Sequence, residues 1–257
     1  MEIESLRLQP HSRLVLIINA DDWGRSRAET NAALACHEKA KITSVSAMVF
    51  MKDSERAAEV AKANDIEAGL HLNFDELFTA RNYPPRLAEC HDRTRRHLIS
   101  NKYAQLLYNP FLRREFSYSY QTQVEEFVRL FDRPPSHIDG HHHMHLCANV
   151  LLSNIIPAGT KMRPNFSFWP GEKSWLNRTY RRLIDRRLAR RFQLPDYFFD
   201  LTQCVQENKL DRVAALAQTG TVEIMTHPVV QSESEFLMSH EFQVILENLE
   251  VGSYALV

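Results

Sequence analysis

The chain is poor in glycine, and its few cysteines lie far apart. Only 7 glycines and 4 cysteines occur among its 257 residues. Cys36, Cys90, Cys147 and Cys204 form no C-x-x-C pair, so the sequence indicates neither a zinc–thiolate site nor a disulfide framework. Because glycines are so few, they mark few of the turns that the chain must make.

A strong excess of one charge is also missing, as is any long apolar run. The formal net charge of −1 gives no overall attraction toward nucleic acid or an anionic membrane. No window is apolar enough to span a bilayer, and residues 1–13 lack the basic start and apolar stretch of a signal peptide. We therefore expect no nucleic-acid partner, no transmembrane segment and a cytoplasmic location.

Short apolar segments alternate with amphipathic ones along most of the chain. The pattern predicts helices at 26–39, 54–63, 118–131, 147–156, 173–191, 210–218 and 232–248. It predicts strands at 14–20, 42–51, 66–73, 161–163, 197–201 and 221–226, besides a histidine-rich strand at 137–145.

This alternation implies βαβ units and a parallel sheet. We predict an α/β fold, a distorted or incomplete (β/α) barrel with parallel strands and outer helices. A doubly wound open sheet is the alternative. At this length one domain is enough, so we predict a single domain over 1–257 with an insertion at about 75–117.

Five of the chain's twelve histidines lie in the segment H-I-D-G-H-H-H-M-H, residues 137–145. On an extended strand, alternate side chains share a face, so this pattern predicts one face with the members His137, Asp139, His141, His143 and His145. Imidazole and carboxylate are the usual ligands of a catalytic divalent metal. The sequence favours a metal site here, and a packed structural histidine cluster is the alternative.

Acidic or imidazole groups also stand where other predicted strands end. Asp21 and Asp22 follow the first strand, His71 lies near the end of the third, and His227 follows the last. In a (β/α) barrel these ends converge on one face, where active sites are built. Each residue has a simpler explanation alone, such as an Asx turn, a core histidine or a strand ending before Pro228. Their joint occurrence favours a common site.

Six short motifs appear in order: N-A-D-D-W-G (19–24), T-S-V-S-A-M-V (43–49), G-L-H-L (69–72), the histidine segment, M-R-P (162–164) and E-I-M-T-H-P (223–228). Together they resemble the YdjC-like carbohydrate deacetylases, which include the chitooligosaccharide deacetylases. The resemblance covers residues 14–256. It implies a distorted (β/α) barrel and metal-dependent removal of N-acetyl groups from sugars.

The resemblance also implies roles for individual residues. Asp22, His71 and His141 match the metal ligands, Asp21 matches the general base and His227 the general acid. The expected cofactor is one divalent metal ion. Imidazole–carboxylate ligation fits Zn²⁺, cobalt, nickel or manganese better than Mg²⁺, but Mg²⁺ is associated with the family, so both Mg²⁺ and Zn²⁺ stay open.

We further predict that Arg163 orients Asp21, although a plain ion pair is the alternative. Asp139, His143 and His145 are expected to form the second shell that fixes the ligand tautomers. Val229 stands after Pro228 where family members generally carry glycine, so the loop carrying the predicted acid differs. The basic helix at 173–191 is expected to be a solvated face, or else to contact an anionic glycan, a lipid head group or a partner.

The expected partner is an N-acetylated saccharide or a glycolipid, and a homodimer is possible. Two other functions are alternatives to a deacetylase. One is a phosphoesterase or amidohydrolase, whose two-metal sites usually need more carboxylates than this chain offers. The other is a non-catalytic metal- or sugar-binding protein. The presence of both Asp21 and His227 argues against it, since a binding protein needs neither a base nor an acid.

Overall fold

The computed structural model describes residues 14–101 and 103–257. The strands are β1 (Leu16–Trp23), β2 (Ser44–Ala47), β3 (Ala68–Leu72), β4 (Ile138–Gly140), β5 (Tyr197–Asp200), β6 (Val222–Thr226) and β7 (Val251–Gly252). The helices are α1 (Arg27–Glu38), α2 (Ser54–Ala63), α3 (Pro85–Ile99), α4 (Arg113–Phe131), α5 (Ala148–Ser153), α6 (Trp175–Leu188), α7 (Leu201–Gln206), α8 (Leu210–Ala217), α9 (Gln231–Leu237) and α10 (His240–Leu246).

The strands form one sheet in the order β4-β3-β2-β1-β6-β5, with β7 beside β1. The strand pairs whose register is described are all parallel, and helices make most of the crossovers that parallel strands require. Because β4 and β5 end this order, the described strands do not close into a full ring. The predicted fold class, an incomplete (β/α) barrel, is confirmed.

One compact unit contains the described residues up to Asp21, together with Ala32–Ser44 and Gly159–Val257. In this unit β6 pairs with both β1 and β5, and β7 pairs with β1. Every residue of β1 is buried, as expected for a strand covered on both faces of a parallel sheet. Ile17 of this strand forms a small apolar cluster with Val15 and Tyr254.

The other compact unit contains Asp22–Asn31 and Val45–Ala158. Here β3 pairs with both β2 and β4, and α3 and α4 contact each other closely. The indole Nε1 of Trp23 donates to the carbonyl oxygen of Ala57 at 3.0 Å. This bond fixes the last residue of β1 against α2.

Several predicted element boundaries are wrong. The strand predicted at 42–51 is only Ser44–Ala47, and the one at 161–163 is a single bridge between Lys161 and Gln193. The helix predicted at 232–248 is two helices, because Ser239 accepts a hydrogen bond from the Phe242 N–H and starts α10. Helix α4 begins five residues earlier than predicted, at Arg113, and α7 was not predicted.

The histidine-rich segment is not a strand over its whole length. Extended pairing ends at Gly140, and His141–Leu146 form a 3-10 segment in which His142 and His143 have φ values of 48° and 58°. A Cβ on Gly140 would lie 2.8 Å from the His145 backbone nitrogen, so the chain folds back closely at the glycine. The prediction that alternate residues of 137–145 share one strand face is therefore wrong beyond Gly140.

No helix within 14–101 or 103–257 is both long and apolar enough to cross a membrane.

Gly69 gives a test of packing in β3. A Cβ at this position would lie 2.3–2.5 Å from ring atoms of buried His137. We predict that Gly69→Ala lowers the free energy of unfolding by about 1–3 kcal/mol, because the ring must move. Urea denaturation measures this loss. In a His137→Ala background the same change should cost clearly less, and an equal cost in both backgrounds would contradict the packing argument.

Candidate active site

Asp22, His71 and His141, the predicted metal ligands, lie together within one compact unit. One donor atom from each lies within 4.8 Å of the other two, and all three residues are buried. The Asp22 Oδ1 atom is 3.0 Å from His141 Nδ1 and 3.4 Å from His71 Nε2. The structure thus brings together three side chains that are far apart in the sequence.

The backbone at Asp22 is unusual for a strand residue. Its φ of 64° lies in the left-handed region, which Asp tolerates better than most residues. Side chains of successive strand residues normally point to opposite faces. The left-handed residue breaks this alternation at the end of β1 and gives Asp22 a direction that a regular strand would not.

The three donors fit a divalent cation. Two ligands that each lie about 2.0–2.2 Å from a tetrahedral ion are about 3.3–3.6 Å apart, close to the observed 3.0 and 3.4 Å separations. Burial opposes ionisation of Asp22, but hydrogen bonds with His141 and His71 outweigh it and hold the pKa of Asp22 well below its ordinary value. A buried carboxylate that stays ionised between two imidazoles is a suitable ligand set for zinc or a similar metal.

Asp139, predicted for the second shell, holds His71 in place. Its Oδ1 atom is 2.8 Å from His71 Nδ1, which leaves Nε2 of the same ring facing Asp22. Ser46 donates to the other carboxylate oxygen at 2.7 Å and also lies 3.1 Å from His137 Nε2. Carboxylates in this position fix the tautomer of a metal-binding histidine. Ser46 lies within the T-S-V-S-A-M-V motif, but no role was predicted for it.

Glu76 contacts His141 on the side away from Asp22. Its Oε2 atom is 2.8 Å from His141 Nε2, and its Oε1 atom accepts a hydrogen bond from Arg25 at 3.0 Å. No sequence pattern pointed to this residue, because it lies in an irregular segment after β3. Within the described part of the chain, neither Glu76 Oε2 nor His141 Nε2 makes a hydrogen bond, so Glu76 lies beside His141 but does not hold it by a hydrogen bond as Asp139 holds His71.

The other histidines of the segment occupy different surroundings. His142 is exposed and lies 2.8 Å from Asp75, whose hydrogen bond raises the pKa of His142. His143 and His145 follow in the 3-10 segment with ring centroids 6.4 Å apart. Both lie outside the group of three close donor atoms, so their predicted second-shell role stays a prediction.

Asp21 and Arg163, predicted as base and orienting residue, form an ion pair inside the other unit. Both carboxylate oxygens of Asp21 accept from the guanidinium at 2.7 Å. Arg163, which has no exposed surface, also donates to Glu223 Oε1 at 2.9 and 2.7 Å. Tyr254 donates to the second Glu223 oxygen at 2.5 Å. The two-point contact fixes the plane of the Asp21 carboxylate.

His227, the predicted acid, lies after β6 in the same unit as Asp21. Its backbone N–H donates to Glu233 Oε2 at 2.5 Å, and the other oxygen of Glu233 accepts from the Thr202 hydroxyl. Donor atoms of His227, Glu233 and Asp200 lie within 4.8 Å of one another. However, Asp200 caps α7 by accepting from the Gln203 N–H at 2.8 Å. We therefore interpret this group as support for the His227 loop and not as a second metal site.

The fold and the donor group define an α/β-barrel protein with a buried carboxylate–imidazole centre. The family model described as YdjC-like protein matches residues 15–248. The chain belongs to the YdjC-like family, and the resemblance seen in its motifs is confirmed.

Two similar proteins, both named chitooligosaccharide deacetylases, are consistent with this family membership. The chain is 27% identical over 252 residues to a chitooligosaccharide deacetylase of Proteus mirabilis (strain HI4320), covering 92% of this chain and 89% of that protein. It is 30% identical over 139 residues to a chitooligosaccharide deacetylase of Yersinia pestis (strain Pestoides F), covering 53% and 52% of the two chains.

A solved structure shares the fold. It belongs to an Enterococcus faecalis V583 protein with a proposed role in cellobiose-phosphate cleavage. The TM-score is 0.64 at 18% identity, and the match covers 93% of this chain and 97% of that one.

The Asp139–His71 hydrogen bond predicts that Asp139 affects metal affinity. Asp139→Asn should weaken binding of Zn²⁺ about 10–100-fold, because the amide no longer holds His71 through a charged acceptor. Isothermal titration calorimetry of the apoprotein measures the affinity. Asp185→Asn, the same change at a buried position in α6, is the matched control and should bind Zn²⁺ like the parent. Unchanged affinity in the Asp139 variant would remove this residue from the metal centre.

Proposed function

We propose that this protein is a metal-dependent hydrolase that removes acetyl groups from N-acetylated sugars. The observation that carries the proposal is the buried donor group Asp22, His71 and His141 in a chain whose family relatives include chitooligosaccharide deacetylases. Three ligands and an open position are typical of a catalytic metal site.

The chemistry must overcome the low reactivity of an amide toward water. A bound divalent ion lowers the pKa of water and polarises the acetyl carbonyl. The role of Asp22, His71 and His141 is to hold that ion. Asp139 orients the His71 imidazole through its 2.8 Å hydrogen bond, so that this donor atom is in place before the substrate binds.

Asp21 is proposed as the base that takes a proton from the attacking water. Asp21 directly precedes Asp22, a proposed metal ligand, in the chain. The Arg163 guanidinium holds its carboxylate through two 2.7 Å contacts, which limits rotation and aims the oxygens. Two neighbouring aspartates can thus have different roles because their partners differ.

His227 is proposed as the acid that protonates the departing amine of the sugar. Its backbone is held by Glu233 at 2.5 Å, which fixes the start of the loop that follows β6. Proton donation to the nitrogen is required because an amine anion is a very poor leaving group.

The proposal also names a metal and a sugar substrate. The donor set of two imidazoles and one carboxylate favours Zn²⁺, and Mg²⁺ is the second candidate. A chitooligosaccharide is the proposed substrate by analogy with the named relatives, and a glycolipid carrying an N-acetyl group is the alternative. Acetate release from a panel of N-acetylated sugars, with chelator and after metal is restored, tests both points. p-Nitrophenyl phosphate serves as the counter-substrate that a phosphoesterase would cleave.

The ligand assignment predicts loss of the metal. His71→Ala and His141→Ala should each contain much less Zn²⁺ than the parent after purification and dialysis, since each change removes one of three donors. Elemental analysis measures the metal content. Exposed His142 supplies a matched control, and His142→Ala should keep the metal. Full metal occupancy in both of the first two variants would place the metal elsewhere.

The base assignment predicts a different result. Asp21→Asn should keep the metal but lose about 10²–10⁴-fold in the rate of acetate release, because the amide cannot accept the proton. Asp211→Asn, at an exposed position in the first turn of α8, should show the parental rate. Parental turnover by the Asp21 variant would show that another residue is the base.

A further inference from the structure

Helix α6 (Trp175–Leu188) exposes large apolar side chains on its outer side. Trp175, Leu176, Tyr180 and Leu183 are 66%, 63%, 50% and 58% exposed. Leu176, Tyr180 and Leu183 follow one another at i, i+4 and i+7, which places them in one stripe along the helix. Contiguous apolar surface of this kind on a monomer usually marks an interaction site.

This stripe is not the side by which the helix packs on its own unit. The packing side carries Asp185 and Leu188, which are 5% and 4% exposed. Asp185 Oδ1 accepts hydrogen bonds from the Asn165 backbone and side chain at 3.0 and 2.7 Å. The helix therefore has one buried side and, roughly opposite, a second apolar stripe in contact with solvent.

The outer side of α6 is also basic. Arg186 and Arg187 in the last turn, and Arg190 just after the helix, are all exposed. The acidic residue of the helix, Asp185, points away from them into the protein. A net charge near zero for the whole chain therefore coexists with a local positive patch. We call Trp175, Leu176, Tyr180, Leu183, Arg186, Arg187 and Arg190 together the outer face of α6.

We propose that the outer face of α6 docks the protein on the surface of an anionic lipid bilayer. A helix with leucine and aromatic residues beside arginines, lying flat with its apolar stripe in the head-group region, is the usual interfacial design. Tryptophan and tyrosine favour that boundary because their rings are apolar at one end and polar at the other. The arginines match the negative charge of anionic head groups.

Other partners fit this face less well. A second copy docked through the same face would bring two positively charged surfaces together, and like charges oppose such a dimer. An anionic glycan would pair with the arginines but would leave the leucine stripe in water. A bilayer satisfies both features at once, and the inference does not depend on the proposed catalytic activity.

Vesicle binding by the full chain tests the proposal. Vesicles of phosphatidylcholine with 30% phosphatidylserine, a fraction of about one third chosen to give a strong surface charge, are compared with pure phosphatidylcholine in a sedimentation assay. We expect binding to the anionic vesicles that weakens as salt is raised from low to high ionic strength. Trp175 gives a second readout, because the other two tryptophans, Trp23 and Trp169, are only 0% and 5% exposed. Its emission should shift to shorter wavelength on binding, and Trp175→Phe should abolish the shift.

Two double variants separate the apolar and the charged contributions. Leu176→Ser with Leu183→Ser, and Arg186→Gln with Arg187→Gln, should each reduce binding about tenfold or more, since each surface arginine contributes roughly fivefold. These side chains are exposed, so the fold should be unaffected, and circular dichroism checks this.

Matched controls come from exposed residues elsewhere. Met238→Ser with Val244→Ser removes two apolar side chains that are 41% and 45% exposed, and Arg113→Gln with Arg114→Gln removes two exposed arginines of α4. Both controls should bind like the parent. The proposal is overturned if the parent ignores anionic vesicles at low salt, or if the controls lose as much binding as the α6 variants. It is also overturned if the α6 changes convert a dimer into a monomer in light scattering, because the face would then join two copies.

Discussion

The buried carboxylate of Asp22 sets the requirement that the surrounding residues satisfy. An ionised group away from water is tolerated only when charged or hydrogen-bonding partners compensate for its lost hydration. His141 and His71 supply these contacts at 3.0 and 3.4 Å, and Arg25 adds a contact at 3.4 Å. The same arrangement that stabilises the carboxylate also presents three donor atoms toward one point. The contacts of Asp22 with His71 and His141 thus contribute both to the stability of this unit and to its ability to bind a cation.

The backbone around this centre is strained, and neighbouring contacts offset part of the strain energy. Left-handed backbone occurs at Asp22, His142 and His143, and such residues cost of order 1–3 kcal/mol each. The buried hydrogen bond between Asp139 and His71 offsets part of this strain locally. Strained residues gathered beside a potential ligand set are typical of functional sites, where geometry takes precedence over local backbone preference.

In the other unit, a buried arginine compensates for the charge of two buried carboxylates. Arg163 lies between two carboxylates, Asp21 on β1 and Glu223 on β6, and these strands are neighbours in the sheet. The guanidinium therefore ties two strands together while it fixes the Asp21 oxygens. Asp21 directly precedes Asp22 in the chain, so the carboxylate held by Arg163 and the proposed metal ligand belong to consecutive residues.

The features that could be predicted from the amino-acid sequence are those that depend on local pattern and on side-chain chemistry. Apolar segments alternating with amphipathic ones gave the parallel α/β barrel. Acidic and imidazole groups at several strand ends predicted a common site, and the resemblance to the YdjC-like family implied that Asp22, His71 and His141 are its metal ligands. The orientation of those donor atoms, and the residues that hold them, became visible only in the folded chain. The left-handed turn at Asp22, the fold-back after Gly140, and the partners Ser46, Glu76 and Glu223 leave no periodic signal, because each depends on backbone torsions and on residues far away in the chain. A two-residue period reports a strand only while extended pairing lasts, and here it lasts for three residues of the histidine segment.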